Sequence, residues 1–195
     1  MGWGSSEERL SSTSSELRGV DMFVYTLPSG VLGRFIGRAL RFRVDRFNFS
    51  TGPSADGNDK RRSLKSVEVE ANSLSPLCEV DKFQFERLPL TVSEIVRLER
   101  RTRDYVLDVT RYPRILYTVE EETPTEVKGT LELRGERKAI TCTKSVEGPE
   151  LIVRCPIDTR EFNIPSYSLM YGVFGVSPHV QVETRIPLRA VQLQG

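Results

Sequence analysis

Between Arg114 and Arg134 the apolar residues fall on every second position, and that period restricts the fold more than any other feature of the chain. Ile115, Tyr117 and Val119 alternate with Arg114, Leu116 and Thr118, and Val127, Gly129, Leu131 and Leu133 alternate with Lys128, Thr130, Glu132 and Arg134. Successive side chains of a strand point to opposite faces, so the pattern belongs to two half-buried strands. Glu120 to Glu126 is their polar connection, Arg134-Gly135-Glu136 supplies a turn, and Arg137 to Lys144 opens the next strand. Upstream, Tyr112-Pro113 closes off a helix, because proline disfavours helical backbone at the preceding residue and has no N–H to donate.

Similar short runs occur throughout. Met22 to Leu27 places Phe23 and Tyr25 on one face, and Leu64 to Ala71 turns Val67, Val69 and Ala71 inward with Glu68 and Glu70 outward. Leu151 to Ile157, Glu161 to Ile164 and Val180 to Leu188 complete the series. Leu40 to Ser50 is longer and changes register: Leu40, Phe42 and Val44 share one parity, Phe47 and Phe49 the other. An extra residue near Asp45-Arg46, forming a bulge, restores the inward face and helps the sheet curl. Leu74 to Pro89 reads as irregular, with a short strand at Phe83 to Phe85. Thr91-x-x-Glu94 has capping-box form and opens the one helix, 92–107, whose apolar stripe is Ile95, Leu98, Thr102 and Tyr105. One narrow stripe suits a helix lying across a sheet or a barrel mouth. About eight strands with a single inserted helix point to an all-β, antiparallel barrel or sandwich and exclude alternating βαβ units. Residues 1–19 are polar, Ser-rich and without apolar periodicity, which predicts a disordered arm ahead of one folded domain over 20–190.

Three cysteines, none in a C-x-x-C, remove the case for a zinc ribbon or a thioredoxin-type site. If 137–144 pairs with 150–157 around Val146-Glu147-Gly148-Pro149, Cys142 faces about residue 153 and Cys155 is a diagonal neighbour, roughly 7 Å away. That separation strains a disulfide, so all three read as reduced, buried, small hydrophobes. No run approaches the ~20 apolar residues of a membrane span, and no charged start with an apolar h-region opens the chain, which predicts a cytoplasmic protein. His179 is the sole histidine and sits at a loop-to-strand junction without announced partners; neither catalytic residues nor metal ligands nor a cofactor are implied. Residues 31–65 hold nine Lys or Arg against Asp45, Asp56 and Asp59. Arg41, Phe42, Arg43, Arg46, Phe47 and Phe49 interleave as in a barrel that binds single-stranded nucleic acid, a rival reading. The near-neutral net charge of +1 argues against it.

Three runs in order carry a resemblance: V-L-D-V-x-R-Y-P-x-I, V-K-G-T-L-E-L-R-G-E-R-K, and F-N-I-P-S-Y-S-L-M-Y-G-V-F-G-V-S-P-H-V-Q-V, preceded by G-V-L-G-R-F-I-G-R-A-L. Over roughly residues 22–188 the chain resembles the YceI-like family. The resemblance implies a lipocalin-like, eight-stranded antiparallel barrel whose apolar interior holds an isoprenoid or other lipid, without enzymatic activity. The inward sets Phe42, Val44, Val67, Val69, Tyr117, Leu131, Leu133 and Phe162 are then the candidate lining, with Tyr167, Met170, Tyr171 and Phe174 at the mouth. Many relatives carry a secretory signal and a His-Asp pair in the first loop; here Arg38-Ala39 stands at that place, which implies an acidic-headed lipid meeting Arg34 or Arg38. The expected partner is an apolar small molecule, not nucleic acid, with a homodimer kept as an option. A plugged barrel serving protein interaction is the other alternative.

Overall fold

The computed structural model describes residues 19–29, 39–53, 62–80, 87–164, 168–169 and 174–189. Their strands are β1 (Asp21–Ser29), β2 (Ala39–Val44), β3 (Phe47–Pro53), β4 (Arg62–Glu70), β5 (Leu74–Val80), β6 (Arg87–Leu88), β7 (Arg114–Glu122), β8 (Glu126–Leu133), β9 (Glu136–Glu147), β10 (Glu150–Asp158), β11 (Ser168–Leu169) and β12 (Phe174–Pro187). One antiparallel sheet takes them in the order β3-β4-β7-β8-β9-β10-β12-β1-β2-β5-β6, with β11 on β12. The sheet curls into a half-barrel. Ten strands of substantial length stand where eight were expected, and the hydrogen-bonded path does not close.

The extra strands have a local cause. Residues 39–53 bend at Asp45–Arg46, as the parity change predicts, and their partner run 62–80 is broken opposite that point by a 3₁₀ turn, Ala71–Ser73. Backbone bonds from Asp45 N to Ser73 O and from Glu70 N to Arg46 O tie the two bends together. Each run is thereby cut into two strands, so Leu74 to Val80, expected to be irregular, is strand β5, with one register shift against β2 between Cys78 and Pro76. Phe83 to Phe85 lies outside the described residues.

The helix α1 (Val92–Arg101) starts on the full capping box: Thr91 accepts from Glu94 N while the Glu94 carboxylate accepts from Thr91 N. It runs on through a π turn, Thr102–Val106. The wider turn advances the inward stripe by one residue, so Val106 and Leu107 pack on the core and Tyr105, expected on the stripe, is 68% exposed. Glu161 to Ile164, expected as a strand, is instead the end of the 3₁₀ turn Thr159–Phe162 and the two residues after it; the turn is begun by the Asp158 carboxylate accepting from Arg160 N and ended by Asn163 at φ 54°.

The β9–β10 connection corrects the cysteines. Its turn is only Gly148–Pro149, so Glu147 pairs with Glu150 and Thr143 with Arg154. This register is two residues from the one expected, and it sets Cys142 and Cys155 opposite each other, Cα atoms 4.2 Å apart, joined as a disulfide. Cys78 is free and buried.

Candidate functional site

Alternation along each strand sends one set of side chains to the inner face of the curl. Two apolar clusters result. The larger joins Leu107, Val127, Leu131, Leu133, Ile140, Cys142, Ile157, Phe162 and Ile164, and the smaller joins Met22, Val44 and Val69; Leu74, Ile115 and Val182 pack on both and make the interior continuous.

Most of the expected lining residues meet there. Val44 and Val69 are buried in the smaller cluster with Val67 beside them, and Leu131, Leu133 and Phe162 are buried in the larger with Tyr117 partly buried against it. Phe42 is buried opposite Val24 and belongs to neither cluster. Phe162 reaches zero exposure because the 3₁₀ turn after β10 folds it under the end of the sheet. Arg34, Arg38, Tyr167, Met170 and Tyr171, and the side chain of Phe174, lie outside the described residues.

Tyr117 brings a hydroxyl into this interior. Its hydroxyl is within hydrogen-bonding distance of the Val127 and Ile140 carbonyls, at 3.1 and 3.2 Å, and its one proton is shared between them. Burial, and secondarily the Glu120 charge, push the phenol up to about 12, so it remains a neutral donor. The ring can cross from β7 over β8 because residue 129 is glycine: a Cβ there would collide with the Thr118 carbonyl oxygen and press on the Tyr117 ring. Phe47 and Phe49, missed as lining candidates, sit on the inner parity opposite Val69 and Val67, edge to face at 5.4 Å. Their parity was legible only through the bend at Asp45–Arg46. Lys144, also of inner parity and 12% exposed at its side chain, bonds Glu122 at 2.8 Å.

This arrangement can remove apolar surface from water and offers few polar contacts. The nucleic-acid reading loses its platform: Phe42, Phe47 and Phe49 face inward, while Arg43 pairs with Asp21 and Asp45 and Arg46 pairs with Glu70. His179 lies 3.8 Å from Asp158, but that carboxylate is held by Arg160, whose hydrogen bonds depress it to about 2, and Ser177 Oγ accepts from the His179 backbone. Among the described residues no group of three His, Cys, Asp or Glu is placed to hold a metal. A cleft of about 160 Å³ between α1 and the start of β5, lined by Asn72, Ser75, Glu99, Thr102 and Arg103 among others, is polar and too small for a lipid chain. No described helix is long and apolar enough to cross a membrane.

The model of the YceI-like domain matches residues 38–188. The crystal structure of Burkholderia cenocepacia BcnA aligns with 87% of this chain and 96% of its own, at 12% identity and a TM-score of 0.53, a likeness of fold. A crystal structure of a mutant CJ YCEI protein with a monobromobimane guest aligns with 63% of this chain and 70% of its own, at 12% identity and a TM-score of 0.40. No curated protein matches the chain.

Proposed function

The chain belongs to the YceI-like domain family, and from that membership we propose that it binds, without catalysis, an apolar ligand such as an isoprenoid or other lipid on the inner face of its curled sheet. The observation that carries the reading is the continuous apolar inner face, supplied by nearly every strand, on which the Tyr117 hydroxyl and the Lys144 ammonium are already bonded, to backbone carbonyls and to Glu122. A ligand there is held by burial of apolar surface, worth about 25 cal/mol per Å², with no need for a charged partner. Val44, Val67, Val69, Leu131 and Leu133 are the proposed contacts from the wall, Phe42, Tyr117 and Phe162 extend them, and Tyr167, Met170, Tyr171 and Phe174 are proposed at the mouth. Counted as bent single strands, 39–53 and 62–80 bring the wall to eight runs, a number whose interior is either filled by side chains or holds one small guest. The Cys142–Cys155 disulfide favours an oxidising compartment over the cytoplasm.

Gentle purification, organic extraction and mass spectrometry test the proposal. We expect one lipid per protein chain, reduced in Leu131→Ala; an empty extract favours a filled barrel serving as an interaction module. An acidic head group meeting Arg38 predicts weaker retention in Arg38→Ala, and unchanged retention removes that arginine from the site.

A further inference from the structure

The same strands carry a second set of side chains on the opposite, outer face, and there we propose a binding site for a small oxyanion, a carboxylate or a phosphate, centred on Arg41. Inner residues Val24, Phe42 and Val182 alternate with outer residues Phe23, Tyr25, Arg41, Glu183 and Arg185. Arg41 therefore lies on the face opposite the apolar clusters.

Arg41 is only 4% exposed. Its guanidinium carbon lies 3.6 Å above the centroid of Phe23 and 5.5 Å from that of Tyr25, and its Nε has no hydrogen-bond partner among the described residues. Stacking on aromatic faces recovers only part of the hydration that a guanidinium gives up on burial.

The neighbouring carboxylates are already committed. Glu183, 6% exposed, accepts from Arg154 Nε at 3.0 Å and from Arg185 Nε at 2.9 Å. Glu147 takes the two terminal nitrogens of Arg154 at 2.6 and 3.1 Å. Asp21 and Asp45 turn to Arg43. Arg154 and Arg185 are thus bonded to Glu147 and Glu183, and among the described residues no carboxylate bonds Arg41, the most buried of the three.

An oxyanion is the group that this geometry fits. The guanidinium fork matches a carboxylate or phosphate edge to edge. Arg41 and Arg185 both lie within 6 Å of the Phe23 ring, which puts a second guanidinium near the site. Tyr25, paired with Arg41 across the strands and partly exposed, offers the way in and a phenolic donor. Burial raises that phenol above its ordinary value and keeps its proton at neutral pH.

The test titrates inorganic phosphate and, separately, acetate into the full chain at constant ionic strength, by calorimetry and by thermal midpoint. A saturable response to either supports the site and identifies the class, provided that it falls at least about tenfold in Arg41→Met. That variant should also melt higher than the wild type without oxyanion, because a side chain of similar length replaces an unmatched buried charge. Should it not fold, Arg41→Lys, which keeps the charge and loses the fork, must weaken the response at least about fivefold. No saturable response in the wild type, or a response that the Arg41 variants leave unchanged, overturns the proposal.

Discussion

Strand β8 and the β1–β2 pair share a period of two but differ in what their outer sides meet. Along β8, buried Val127, Gly129, Leu131 and Leu133 alternate with Lys128, Thr130 and Glu132, which reach water. Along β1 and β2, the adjacent residues Met22 and Phe23, and Arg41 and Phe42, are all buried. Alternation of residue type therefore reports where water touches a strand. It marks the core only where the other face is wet, and a strand covered on both sides accepts whatever finds a partner there, even an arginine on two aromatic rings.

Paired substitutions test that difference by urea denaturation. On β1, Phe23→Ala and Met22→Ala should destabilise by about 4 and 3 kcal/mol, since both faces are packed. On β8, Leu131→Ala should cost about 3 kcal/mol and Glu132→Ala no more than about 0.5, its ion pair with Arg137 being exposed. Similar losses at Leu131 and Glu132, or a mild Phe23→Ala, would break the distinction. Gly129→Ala, the smallest possible addition to β8, should cost about 3 kcal/mol, because the new carbon meets Thr118 backbone that cannot yield.

The β9–β10 register is tested by thiols. The denatured, unreduced chain should show one reactive thiol, Cys78, and reduction should reveal two more and lower stability by about 3 kcal/mol, given a loop spanning 13 residues. Three thiols without reductant would return the hairpin to the other register. The smallest effect is electrostatic. Asp158 is held below the ordinary aspartate value, so its interactions with Arg160 stabilise the fold above that value and are lost as the pH falls toward about 2. Carboxyl NMR should place its midpoint near there, and Arg160→Gln should raise it toward the unperturbed range.

How legible each part was depended on how local its cause is. The Thr91 and Glu94 capping box, the β7–β8–β9 meander and the bend at Asp45–Arg46 each follow from residues within one turn or one strand pair, and the structure places them as the sequence predicts. The inner-face candidates from Val44 to Leu133 follow by parity. The π turn that exposes Tyr105 has no sequence signature, since one added residue per turn costs little where the helix end packs on a core. Phe162 reached the interior by a different route from the expected strand, through a turn whose form depends on Asp158 and Asn163.

The sequence by itself determined the class of the fold, the inward set of most strands and the start of the helix, because these rest on a two-residue period and on side chains that bond their own backbone. Only the tertiary structure decided the Cys142–Cys155 bond, the partition of eight expected strands into ten and the burial of Arg41. Each depends on a register, a bend or a neighbouring strand far along the chain. Local patterns carry no information about those long-range choices, which are made when the sheet is assembled.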